Sequence, residues 1–144
     1  MNLCVGQGVS FVIWDVGGQE RVRALWRSYT RAADGMMFVV DSADVERIEE
    51  ARVELARVTR TREAAGVPLL VVANKQDLLL ARSAVDVERL LGVAELRHGG
   101  RSCCVRPVCA ITGQGLDEAL ERLHLMIVDR RKAARQRRVK THRR

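Results

Sequence analysis

Pro68-Leu69-Leu70-Val71-Val72-Ala73-Asn74-Lys75-Gln76-Asp77 is the stretch on which the fold of this 144-residue chain turns. Its apolar half runs without the polar alternation of a half-exposed strand, so it predicts a strand covered on both faces, as in a parallel sheet flanked by helices. It then breaks abruptly into an amide, an ammonium and a carboxylate. Two other runs, Val9 to Asp15 and Gly35 to Asp41, end in an acid in the same way, and a weaker fourth, Cys103 to Ala110, completes the series. Between them lie helical patterns. Val45, Ile48, Ala51, Leu55 and Val58 mark one apolar stripe, Ser83 with Asp86 resembles a capping box, and Leu116, Leu120, Leu123 and Ile127 mark a last stripe. Strands alternating with helices predict an α/β fold, a mostly parallel sheet with helices on both faces. Such a fold binds its ligands beyond the carboxyl ends of the strands.

Composition bounds the rest. With 47% hydrophobic and 30% charged residues, the chain suits one globular domain. Its apolar runs of five to seven residues fall far short of the ~20 that cross a bilayer as a helix. The net charge of +7 is an end effect: residues 130–144 hold nine of the 25 Lys/Arg and no acid, leaving 16 basic against 18 acidic residues ahead of them. Four of the five aromatics fall within the first 29 residues, away from that charge, which argues against an aromatic-studded nucleic-acid face. Cys4, Cys103, Cys104 and Cys109 form no Cys-x-x-Cys pair and read as reduced thiols; adjacent Cys103 and Cys104 would face opposite sides of a strand.

Three strand ends carry the chemistry. In Trp14-Asp15-Val16-Gly17-Gly18-Gln19-Glu20, Asp15 can hold the water shell of a Mg²⁺ ion, Gly18 lets a backbone N–H approach a terminal phosphate, and Gln19 can orient an attacking water. Taken alone, Asp-x-x-Gly is also a common tight turn. In Asn74-Lys75-Gln76-Asp77, the Asp77 carboxylate can accept from guanine N1 and N2, a donor pair adenine lacks. Lys75 can lay its methylenes over the base and Asn74 can brace neighbouring loops, although an ordinary polar loop has the same composition. In Cys109-Ala110-Ile111-Thr112-Gly113-Gln114-Gly115, small residues after a strand could bring a backbone N–H to the base carbonyl, or merely connect two elements.

In this order the three segments resemble a small GTPase of the Ras superfamily, and Trp14 to Glu20 with Asn74 to Asp77 is similar to the ADP-ribosylation factor (Arf) family in particular. Arg23-Ala24-Leu25-Trp26-Arg27-Ser28-Tyr29, Phe38-Val39-Val40-Asp41-Ser42 and Cys109-Ala110 agree. Val45-Glu46-Arg47, Gly66-Val67-Pro68 and the basic tail are similar to the ADP-ribosylation-factor-like protein 4 branch. The resemblance implies a GTP/GDP-dependent switch with Mg²⁺ as cofactor and slow GTP hydrolysis as its timer. It implies nucleotide contacts from Asp15, Val16, Gly17, Gly18, Gln19, Asn74, Lys75, Gln76, Asp77, Cys109 and Ala110, with Gln19 catalytic and Asp15 reaching Mg²⁺ through water. Trp14, Trp26 and Tyr29 would form the surface read by effectors and exchange factors, although Trp14 and Trp26 could equally pack the core. Exchange factors, GTPase-activating proteins and effectors are the implied partners of a monomer.

A complete member of such a family carries Gly-x-x-x-x-Gly-Lys-Ser/Thr and a switch I threonine ahead of these motifs. Neither occurs here, and Gly6 and Gly8 have no Lys-Ser or Lys-Thr behind them. The expectation is a partial GTPase domain over residues 1–129, missing its first strand, phosphate loop and first helix, followed by a basic tail over 130–144. The missing loop would carry most phosphate affinity, so this isolated chain is expected to bind nucleotide weakly and to be inactive as a GTPase. The missing strand should leave a sheet edge and an apolar face uncovered. Arg130, Arg131, Lys132, Arg135, Arg137, Arg138, Lys140, Arg143 and Arg144 could recruit the chain to an anionic membrane, serve nuclear import, or remain a solvated end. The expected location is cytoplasmic, peripheral at the plasma membrane, with the nucleus as the other address; no specific nucleic acid is expected. The alternative function is an interaction module that acts through the switch II aromatics and the tail without cycling nucleotide.

Overall fold

A computed structural model describes residues 2–5 and 8–141. Gly6, Arg143 and Arg144, named above, lie outside the described residues. Ten elements follow in chain order: β1 (Asn2–Val5), β2 (Val9–Val12), α1 (Trp26–Thr30), β3 (Met36–Asp41), α2 (Val45–Thr59), β4 (Leu69–Asn74), α3 (Ala84–Leu91), α4 (Val93–His98), β5 (Cys103–Pro107) and α5 (Leu116–Thr141). A 3₁₀ turn, Glu20–Leu25, leads into α1.

The decisive stretch is the central strand of a parallel sheet, in the order β3-β4-β5. β4 aligns Leu69 with Met36 on one side and with Cys103 on the other. Because side chains alternate across a strand, Leu69, Val71 and Ala73 enter one core with Ile48 and Leu55 of α2, Val87 of α3 and Val93. Leu70 and Val72 enter a second core with Ala119, Leu123, Met126 and Ile127 of α5. Both cores are fully buried along β4, which is why the sequence shows no alternation there. Cys103 belongs to the first core and Cys104 packs beside the second, and burial pushes both thiols up, towards the unreactive neutral form.

Local signals place the helices. The Asp44 side chain caps α2 by accepting from Arg47 N, and Ser83 Oγ caps α3 by accepting from Asp86 N at 3.1 Å. α5 does not stop at its last apolar stripe: it runs on to Thr141, exposed at every residue from Arg130, with Arg131 ion-paired to Asp34 at 2.9 Å.

The first run differs from its expectation. β2 covers Val9–Val12 only and pairs antiparallel with β1, Cys4 opposite Ser10, instead of joining the parallel sheet. Its residues alternate between half-buried and exposed, as a hairpin with one covered face does. β1 itself was not anticipated. Among the described residues no strand bridges β2 and β3, and a cleft of about 1480 Å³ lies between them, with Phe38, Val40 and Ile48 in its wall. Val39 of β3 is 58% exposed there, on an uncovered edge of the sheet.

Candidate functional site

The carboxyl ends of β3, β4 and β5 converge, and the polar residues beyond them are tied to one another. β4 ends at Asn74, whose Oδ1 accepts the Ala110 N–H at 3.0 Å across the sheet end. Cys109, buried just past β5, donates from Sγ to Asp77 Oδ1 at 3.4 Å. These two bonds bring residues about 35 positions apart into one crevice and leave Asp77 exposed at its mouth. The loop that carries Ala110 is closed by Cys109 N–H to Gln114 O at 3.0 Å and by Gly113 N–H to Cys109 O at 2.8 Å. Gly115 then turns back so tightly that a Cβ would lie 2.3 Å from Pro107 O, at a φ of +78°.

Lys75 is the one non-glycine residue at positive φ, +65°, among the described residues. An L-residue there is strained, and such strain concentrates at ligand clamps. Its ammonium meets Asp41 Oδ2 at 2.6 Å, while Asp41 Oδ1 accepts from Ala43 N at 2.9 Å. The hydrogen bond from Lys75 holds the Asp41 carboxyl below the usual range, and the same contact raises the Lys75 ammonium. Gln76 turns away from the crevice. Its amide donates to Ser42 Oγ, Ala73 O and Arg82 O at 3.1, 3.3 and 2.9 Å, so it braces the loop instead of facing a ligand.

The Asp15-to-Gln19 segment follows β2 along the rim of the cleft, with Asp15, Gly17, Gly18 and Gln19 exposed and Val16 half-buried. Gln19 folds back so that a Cβ on Gly17 would sit 2.3 Å from its Oε1, whereas a Cβ on Gly18 would meet nothing within 4 Å. Trp14, 73% exposed, and Tyr29, 45% exposed, lie with ring centroids 6.0 Å apart and form an outward aromatic pair. Trp26 does not share that outward pair and follows the core-packing alternative. It is half-buried, edge-on to Phe38 at 6.1 Å, and its indole N–H donates to Gly17 O at 2.9 Å.

Sequence reasoning missed Asp41, Ser42 and Arg23. Arg23 reaches Gly18 O together with Glu50 and Glu54, partners too distant in sequence to leave a local signal. For a guanine the residues present fit: an exposed carboxylate, a strained lysine and a braced amide share one crevice. For a nucleotide-bound Mg²⁺ the fit is partial. Asp15 is the one carboxylate of the glycine segment facing the cleft, and Mg²⁺ is commonly held by one or two carboxylates together with substrate phosphates.

The ADP-ribosylation factor family model matches residues 3–127 of the chain. Human ADP-ribosylation factor-like protein 4A is 54% identical over 132 residues, 92% of this chain and 66% of the relative. Human ADP-ribosylation factor-like protein 4D is 54% identical over 129 residues, 90% of this chain and 64% of the relative. The chain thus spans slightly less than two thirds of the length of these relatives. Among solved structures, the Arl6 BBS3 small GTPase from Trypanosoma brucei, with bound nucleotide analogue GppNp, superposes with a TM-score of 0.80 at 26% identity, covering 90% of this chain and 78% of that one.

Proposed function

Since the chain belongs to the ADP-ribosylation factor family, we propose that its crevice recognises guanine nucleotide and that its glycine segment reports the terminal phosphate to the Trp14–Tyr29 surface, where effectors dock. The observation that carries this reading is the cross-tied sheet end, with Asn74 bound to Ala110 and Cys109 bound to Asp77. These bonds preorganise the base side before any ligand arrives, which lowers the ordering cost of binding. Asp77 would accept from guanine N1 and N2, Lys75 would cover the base with its methylenes, and the Ala110 loop would approach the base carbonyl.

On the phosphate side Gly18 would offer its N–H, Asp15 would hold a water of the Mg²⁺ shell, and Gln19 would orient the attacking water. Mg²⁺, when bound, would neutralise phosphate charge. Hydrolysis of this kind is slow until a partner supplies transition-state charge, so the chemistry serves as a timer and exchange factors and activating proteins set its rate. Equilibrium dialysis of the chain with labelled GDP and ADP tests the reading: retention of GDP over ADP, lost in Asp77→Asn, supports it, and equal retention of both defeats it.

A second reading is favoured by the cleft between β2 and β3, whose wall carries Phe38, Val40 and Ile48. In it the chain is an interaction module that presents Trp14 and Tyr29 without cycling nucleotide. In either reading the exposed cations from Arg130 to Lys140 on α5 serve reversible attachment to an anionic membrane. Each contributes about 1 kcal/mol near such a surface. Co-sedimentation with phosphatidylserine vesicles that falls with added salt supports attachment; equal binding to neutral vesicles counts against it.

A further inference from the structure

Two side chains the nucleotide reading does not use hold the glycine segment by its carbonyls. Trp26 Nε1 donates to Gly17 O at 2.9 Å, and Arg23 Nε donates to Gly18 O at 2.9 Å. Each donor is anchored elsewhere. The Trp26 ring stands edge-on to Phe38 of β3. The Arg23 guanidinium, its side chain 14% exposed, is gripped by Glu50 and by Glu54 at 3.3 Å, one helical turn apart on α2. Those contacts raise its pKa, first through the hydrogen bond to Glu50.

The peptide group is planar and trans, so fixing a carbonyl fixes the N–H of the next residue on the opposite side. Trp26 therefore sets the direction of the Gly18 N–H, and Arg23 sets that of the Gln19 N–H. Among the described residues no acceptor reaches the Gly18 N–H, and the space a Cβ would take at Gly18 is open. The result is a donor with no partner among the described residues, in a peptide held from its carbonyl side, within a segment whose two glycines would otherwise sample many directions.

We infer that Trp26 and Arg23 are positioning residues that aim the Gly18 N–H at the terminal phosphate of a guanine nucleoside triphosphate. The inference rests on the nucleotide reading above and deepens it. It also gives Trp26 a task inside the molecule, distinct from the outward Trp14–Tyr29 pair. An orienting contact of this kind acts only where the third phosphate is present. Its loss lowers affinity for a triphosphate and leaves that for a diphosphate in place.

The test compares the 144-residue chain with Trp26→Phe, which keeps a ring against Phe38 and removes the donor, and with Arg23→Lys, which keeps the charge for Glu50 and Glu54 and loses the planar fork. Affinities for GppNp and GDP and amide NMR spectra without nucleotide are recorded for all three. Trp26→Phe is expected to shift the Gly18 amide resonance and to reduce GppNp affinity relative to GDP by about threefold to tenfold. Arg23→Lys is expected to shift the Gln19 amide more than that of Gly18, which keeps the test open if Trp26→Phe melts early. Equal loss of GppNp and GDP affinity, or an unmoved Gly18 amide in a folded Trp26→Phe chain, overturns the inference. A wild-type chain that binds neither nucleotide defeats the nucleotide reading and with it the phosphate-aiming role, even where the amide shifts show that the carbonyl contacts are real.

Discussion

The strand-end crevice around Asp77 and the glycine segment around Gly18 are built in opposite ways. Around Asp77 the functional groups hold one another: Asn74 is tied to Ala110, Cys109 to Asp77, Lys75 to Asp41, and Gln76 to Ser42 and Arg82. Around Gly18 the groups that would meet a ligand are exposed, and order comes from Trp26 and Arg23 gripping two carbonyls from the body of the protein. The first arrangement is tied within itself, each group by a partner in the same crevice. The second is an exposed segment held from outside at two carbonyls.

The contrast is broken most forcefully at its glycines. Gly115→Ala should destabilise the fold by about 2 kcal/mol or more, because the new Cβ collides with Pro107 O at a positive φ; a denaturant melt reads this as a lower midpoint. Asp77→Asn comes next, reducing GDP affinity by about tenfold to a hundredfold through the loss of charged hydrogen bonds. The same variant should gain relative affinity for xanthosine diphosphate, whose C2 carbonyl oxygen can accept from an amide N–H; competition binding checks both changes. Gln76→Ala, which leaves the base-facing groups in place and frees the 77–82 loop, should raise the GDP dissociation rate by about threefold to tenfold in a stopped-flow chase, with guanine preference retained.

Acid supplies a smaller effect. Asp41 has its carboxyl lowered in the folded state, so its contribution to stability is present above the unfolded value of about 4 and is lost as pH falls through the lower folded value. Melts between neutral pH and pH 3 should lose less stability in Asp41→Asn than in the wild type. The smallest effect belongs to Gly18→Ala, which meets no atom and should change stability by less than about 0.5 kcal/mol. If Gly18→Ala destabilises the chain as much as Gly115→Ala does, the two sides are not built differently.

Much of this was legible in the sequence because it depends on local pattern. The unbroken apolar run Leu69 to Ala73 announced a strand buried on both faces, and the Ser83–Asp86 pair announced the start of α3. The strand-end motifs named the residues of the crevice. The hairpin was not legible: β1 is four residues long, and pairing it with β2 depends on register across a turn, which periodicity alone does not encode. The domain division at residue 130 followed the charge, whereas the backbone follows helix propensity and carries α5 to Thr141, since Arg, Lys, Ala and Gln are all good helix formers.

The sequence by itself determined the α/β class, the central strand, the family and the residue types that could meet a guanine nucleotide, because spacing and side-chain chemistry are local properties. Tertiary structure alone decided where those groups point. Gln76 looks inward to Ser42, Trp26 leaves the aromatic surface to hold Gly17 O, and Arg23 reaches Gly18 O from between Glu50 and Glu54. These directions follow from partners 5 to 34 residues away that tertiary packing brings within hydrogen-bond range.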